Sequence, residues 1–230
     1  MLISWDKLPD EMKNSEVKAY YDILSHRKGS LAVKRIFDIA VSFVMLALLS
    51  WLFLILAIMI KVDSRGPVFY RQVRVTSGNR DFRIFKFRTM VQNADKIGAL
   101  VTSGNDSRIT RVGSKIRKCR LDELPQLINI LKGDMTFVGT RPEVRKYVEK
   151  YSDEMMATLL MPAGVTSLAS INFKDEDELM DSYTSKGMTV DDAYVQKVLP
   201  EKMAYNLEYI KEFGFFKDIK IMIKTVIEVF

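Results

Sequence analysis

Residues Ile39 to Ile60 read IAVSFVMLALLSWLFLILAIMI, 22 residues without a charge. As a helix this run is roughly 33 Å long, against a bilayer hydrocarbon core of about 30 Å. Helices inside soluble domains are seldom apolar on every face over such a length, so the stretch is expected to sit in a membrane. A cleaved signal peptide fits poorly, because the run begins deep in the chain and no small-residue cleavage site follows it. Both flanks are basic: Arg27, Lys28, Lys34 and Arg35 before, Lys61, Arg65, Arg71 and Arg74 after. Basic flanks stay cytoplasmic. Two of them favour a segment that dips in and returns over a straight crossing with Arg27 to Arg35 on the far side, which is the alternative. At the midpoint, Leu49-Ser50-Trp51, no proline forces a bend, and a serine that bonds back to a carbonyl weakens a helix only slightly.

The remainder bounds the chemistry. The chain has 230 residues, 48% hydrophobic and 28% charged, enough for one domain with a sizeable core. It divides by composition into an N-terminal helical segment (1–33), a membrane-inserted helix (34–64) and a main body (65–230). One cysteine, Cys119, excludes an intrachain disulfide framework. One histidine, His26, excludes a multi-histidine metal site, leaving carboxylates, lysines and arginines to carry any reaction. The net charge of +6 is uneven: residues 65–120 hold 14 Lys/Arg against 3 Asp/Glu, whereas residues 121–230 hold 13 against 19. A basic block of this kind implies an anionic partner: nucleic acid, lipid headgroups or a phosphorylated substrate.

The pattern predicts an α/β body, mostly helical. A helix is expected over Asp10–Leu24 with Asp10 as N-cap. Val68–Val75 and Phe82–Phe87 are strand-like, and Ser77-Gly78-Asn79 between them signals a hairpin. Helices are expected at Val112–Lys118 and Pro125–Leu131, the second closed by Gly133. Met135–Val138 suggests a short strand. Helical spacing returns in Tyr194–Phe213 and Phe215–Phe230. The last of these is basic and amphipathic, suited to a membrane surface or to core packing.

Asp122-Glu123 precedes Leu124-Pro125-Gln126-Leu127. Proline is tolerated only in a helix's first turn, so both carboxylates fall at or just before a helix start, where backbone N–H groups favour negative charge. Asp122 as a plain N-cap is one explanation. Adjacent side chains on a helix point about 100° apart, so a catalytic pair would divide roles rather than share a proton. Basic residues gather around it: Arg117, Lys118 and Arg120 before, Arg141 after, and Lys86 and Arg88 in FKFRTM (85–90). Arginine forks suit phosphate oxygens.

KRIFDIAVSF (34–43), GPVFYRQVRV (66–75), FRIFKFRTM (82–90) and RITRVGSKIRKCRLDELPQLINILKGDMTFVGTRPE (108–143) together resemble the bacterial sugar transferase family, the monotopic phosphoglycosyl transferases. The likeness is dense over residues 31–145 and looser through MPAGVTSL (161–168). It implies transfer of a sugar phosphate from a nucleotide diphosphate sugar, usually a UDP-sugar, to a polyprenol phosphate such as undecaprenyl phosphate. UMP is released and a membrane-linked glycan begun. Residues 65–230 become the catalytic domain, facing the cytoplasm at the inner membrane of a bacterium. By the family pattern Asp122 is the nucleophile, Glu123 holds Mg²⁺, and Arg117, Arg141 and Lys86 lie near the substrate phosphates; Arg88, from the same basic cluster, is expected to bind substrate phosphate with them. Lys34, Arg35 and Asp38 match its KRxFD where the chain meets the membrane. The Lys-Arg pair is expected to meet lipid phosphates, or only to fix topology, and Asp38 to need a partner.

Three positions depart from the family. Ser50-Trp51 stands where a Ser-Pro pair usually bends the membrane helix, Gly139-Thr140-Arg141-Pro142 replaces GPRP, and MPAGVTS replaces KPGITG, so sugar specificity does not transfer. A non-catalytic membrane adaptor that binds anionic lipid or a protein partner is the alternative class. Nucleic acid is not expected, because the basic block lacks a nucleic-acid fold signature. The sequence leaves the sugar and self-assembly open.

Overall fold

The computed structural model describes residues 1–94, 106–173 and 176–229. It is mostly helical, with two small two-stranded sheets. Helix α1 spans Ser15–Ser25, later than the sequence suggested. Asp10 only opens a 3₁₀ turn, Asp10–Met12, while the Asn14 side chain accepts from Val17 N–H and caps the helix. Asn14 competes better because its oxygen reaches a free N–H of the first turn. Leu8, Val17 and Leu24 from this end share one core with Leu160, Tyr209, Ile210 and Phe213, so N-terminal and C-terminal helices close on each other.

The long apolar run forms α2 (Lys28–Leu48) and α3 (Ser50–Asp63), bent by 62°. Among the described residues no single helix is long and apolar enough to cross a membrane. The break sits at Leu49, and the Ser50 hydroxyl donates to the Ala47 carbonyl at 2.9 Å. Leu49 leaves helical geometry (φ −93°, ψ 5°), and the serine bond satisfies a carbonyl that the break exposes. Each helix buries one stripe. In α2 it is Leu31, Lys34, Asp38 and Ser42, in α3 Leu56 and Ile60. Ile36, Phe43, Leu48, Trp51, Leu54 and Ile58 stay exposed on the other faces.

The predicted hairpin forms from β1 (Phe69–Thr76) and β2 (Arg80–Phe87), antiparallel, with Gly78 and Asn79 at positive φ in the turn. Helix α4 (Arg111–Lys118) is capped by the Thr110 side chain, and α5 (Gln126–Lys132) ends at left-handed Gly133. Strand β3 (Met135–Val138) pairs in parallel with β4 (Ala163–Thr166), a strand the sequence reading missed. The helix expected over 194–213 forms but starts earlier and is irregular: α-helical residues Val190–Ala193 run into a π turn, Tyr194–Val198, and on into Leu199–Lys211, with Pro200 just after the π turn. Proline lacks the N–H an uninterrupted helix would need. The final helix covers Phe215–Val229, and Phe230 lies outside the described residues.

Candidate active site

The hairpin and α5 build the floor of the site. Phe82 and Ile84 of β2 pack on Leu127 and Ile130 of α5, and Lys86 continues that strand face. The helix is held to the strand's outer edge by Asn129, fully buried, whose Oδ1 accepts from Phe85 N–H (2.8 Å) while its Nδ2 donates to the Arg83 carbonyl (3.0 Å). A buried amide paired on both ends fixes register. The start of α5 is thereby placed opposite Lys86, whose Nζ donates to Glu123 Oε1 at 2.7 Å.

The carboxylates sit on a 3₁₀ turn, Leu121–Glu123, between α4 and α5. Arg120 ahead of it is left-handed (φ 54°, ψ 17°), which redirects the chain so that the turn faces the hairpin. No side chain caps α5, which begins after Pro125, so Asp122 is not its N-cap. The two acids also see different fields. Burial pushes the Asp122 carboxyl above its ordinary range, and Glu123 repels it further, against the opposing pull of Lys86 and Arg117. Burial works on Glu123 in the same sense. There the charges of Lys86 and Arg141 and the Lys86 hydrogen bond outweigh it and hold the group down to about 2. Adjacent acids with opposed shifts are suited to different tasks.

Two hollows open at this turn. A cavity of about 420 Å³ is lined by Asp122, Arg117, Lys86, Arg88, Arg74 and Gln72 among others. A smaller one of about 30 Å³ is lined by Glu123, Arg141, Lys86, Gln126 and Arg74. Lys86 and Arg74 line both. Six of the expected site residues, Asp122, Glu123, Lys86, Arg88, Arg117 and Arg141, therefore converge. Sequence reasoning read Arg74 only as part of a basic flank and passed over Gln72 and Gln126 as site residues. Arg74 donates to Gln72 Oε1 (3.1 and 2.8 Å) and to the Pro142 carbonyl (3.2 Å). Its signal was present in the basic alternation of YRQVR (70–74).

The residues expected at the membrane entry lie elsewhere. Lys34 is buried, donating to Asp218 Oδ2 (2.5 Å) and to the Val138 carbonyl (2.7 Å), which corrects the expectation that it meets lipid phosphates. An ammonium in this interior needs a carboxylate, and Asp218 supplies it. Arg35 donates to the carbonyls of Ile130 (2.6 Å) and Leu131 (2.9 Å), the C-terminal end of α5, rather than to the bilayer. Asp38 accepts from Thr136 Oγ1 (2.6 Å) and Phe137 N–H (3.3 Å). The KRxFD residues thus grip β3 and α5, the elements that lead into Arg141 and follow Asp122.

The comparisons with known proteins agree with this geometry. A family model described as bacterial sugar transferase matches residues 29–230. The chain is 39% identical over 197 residues to a UDP-N-acetylgalactosamine-undecaprenyl-phosphate N-acetylgalactosaminephosphotransferase of Aeromonas hydrophila, covering 84% of this chain and 43% of that protein. It is 37% identical over 200 residues to an undecaprenyl-phosphate glucose phosphotransferase of Komagataeibacter xylinus, covering 84% and 35%. It is 32% identical over 213 residues to the exopolysaccharide production protein ExoY of Rhizobium meliloti, covering 86% and 85%. The chain therefore spans less than half the length of the first two. With a match running from α2 through the carboxylate turn to the C-terminal helix, the chain belongs to the bacterial sugar transferase family.

Proposed function

We propose that this chain transfers a sugar 1-phosphate from a UDP-sugar to undecaprenyl phosphate and releases UMP, working from the cytoplasmic face of a bacterial inner membrane. The printed names of its relatives support the substrate pair. The observation that carries the reading is the Asp122–Glu123 turn set among Lys86, Arg117 and Arg141. The Asp122 carboxylate attacks the sugar-bearing phosphorus: an Oδ–P bond forms, the P–O bond to UMP breaks, and UMP leaves. An oxygen of undecaprenyl phosphate then attacks the same phosphorus, the Oδ–P bond breaks, and the carboxylate is restored. Burial makes Asp122 more basic than an exposed aspartate and so a better nucleophile once ionised. Arg117 and Arg141 are placed to take the phosphate oxygens, whose charge grows in each step.

Mg²⁺ suits the donor set, because a hard cation takes carboxylate and phosphate oxygens together. Glu123 would hold it. Among the described residues no group of three or more His, Cys, Asp or Glu side chains could hold a metal, so substrate oxygens and waters would complete the shell, the mode Mg²⁺ favours. When bound, the ion neutralises pyrophosphate charge. The bent α2–α3 pair, with its exposed apolar faces, supports a re-entrant insertion.

The test is UMP release from a panel of UDP-sugars with undecaprenyl phosphate and Mg²⁺, for wild type and Asp122→Asn. Release with one donor, lowered by at least about 10³-fold in the variant, is the expected result. Near-normal release by Asp122→Asn removes Asp122 as nucleophile.

A further inference from the structure

Arg88 is a buried cation whose charge is only partly answered. Its Nη2 donates to Ser64 Oγ (2.9 Å) and to the carbonyls of Ser64 (2.7 Å) and Ile60 (3.3 Å), at the C-terminal end of α3. Its Nε and Nη1 are buried without any hydrogen-bond partner. The carboxylate closest to compensating it belongs to Asp63, one of whose oxygens accepts from Val112 N–H at 2.9 Å. A guanidinium nearly closed off from water, with two idle donors, is costly unless an anion joins it. Arg88 lines the same cavity as Asp122.

The surroundings say which anion. Beside Arg88 the cavity wall is Pro67, Phe69 and Phe87, and Phe69 and Phe87 pack on Leu52, Phe53, Leu56 and Ile60 of α3. The apolar packing of α3 thus continues to the cavity wall beside the guanidinium. Gly66 lets the guanidinium sit against the backbone of that corner, since a Cβ there would lie 2.2 Å from Arg88 Nη1. A ligand with a hydrocarbon tail and a phosphate head fits this layout, and a sugar nucleotide does not, having no tail to lay along α3.

Resting on the proposed function, we infer that Arg88 forms the subsite for the phosphate of the lipid acceptor, separate from the arginines that hold the donor. The test is steady-state kinetics of wild type and Arg88→Lys, varying undecaprenyl phosphate in vesicles and UDP-sugar in turn. The apparent KM for the lipid is expected to rise about ten-fold or more and that for the donor by less than about two-fold. An unchanged lipid KM, or equal rises in both, overturns the assignment. Should Arg88→Lys fail to fold, wild type decides: inorganic phosphate must inhibit competitively against the lipid, and competition against the UDP-sugar instead sinks the idea. Phosphate inhibition that Arg88→Lys weakens while the lipid KM stays put marks a free-phosphate site and likewise overturns it. Cosedimentation with vesicles carrying undecaprenyl phosphate, relative to vesicles without it, reads the subsite with no turnover. The wild-type preference should fall in Arg88→Lys even if no UDP-sugar is a donor, and a preference that persists rejects the subsite while leaving the reaction untouched.

Discussion

As the proposed nucleophile Asp122 has to be ionised, and burial holds its carboxyl above the ordinary aspartate range. Activity should therefore fall on acidification at a higher pH than an exposed aspartate would give. Lys86 opposes that shift, so Lys86→Met should move the acid limb of the kcat/KM profile to still higher pH, besides lowering its plateau. An acid limb that stays in place would mean that another group controls it. The same lysine holds Glu123 ionised, so one substitution perturbs both carboxylates and single-residue effects here should not add. Lys34 and Asp218 make a different kind of pair, sealed from water on both sides. Removing one partner of such a pair strands a buried charge, and Lys34→Met is expected to cost about 3–5 kcal/mol in denaturant unfolding. Lys34→Met combined with Asp218→Leu should recover much of it, which separates burial of an orphan charge from loss of a favourable contact.

At the level of elements, the legible parts were those with local causes. The hairpin followed from strand alternation around Ser77-Gly78-Asn79, and α5 from Pro125 ahead and Gly133 behind. The illegible parts had distant causes. The partner of β3 is a strand whose first residue pairs with Met135 across the intervening chain, a match no local pattern announces. Arg120 was equally hidden, since nothing in the sequence marks an arginine as left-handed. Such a residue stores about 1 kcal/mol or more. Arg120→Gly should relax it and raise the melting temperature, while Arg120→Val should lower both stability and UMP release.

The α2–α3 break yields its own prediction. Ser50 already takes the Ala47 carbonyl and Trp51 lies in the first turn of α3, where proline is tolerated. Trp51→Pro should leave thermal stability in detergent within about 1 kcal/mol, whereas Ile55→Pro in the helix interior should cost about 3 kcal/mol. Equal losses from both would mean that the bend depends on Trp51 itself.

Across the whole molecule, the six polar residues that converge at the carboxylate turn could be grouped in advance because phosphate chemistry restricts which side chains suit it. The division of those residues between two hollows could not, because it depends on how Asn129 sets α5 against the hairpin. The KRxFD segment was read for its lipid surroundings and turned out to serve the protein interior. Lys34 reaches toward the approach to Arg141 and Arg35 toward the far end of the helix that starts beside Asp122.

The Lys34–Asp218 pair joins residues separated by 184 positions. On a ribosome that adds about 5–20 residues per second, the lysine emerges roughly 10–40 s before its carboxylate exists. Through that interval α2 cannot settle against the body in its final arrangement without burying a bare ammonium. Docking of α2 against β3 and the final helix is thereby ordered in time: it follows synthesis of the segment that carries Asp218. A chain released short of Asp218 would keep that interior open, recognisable to the cell's proteases.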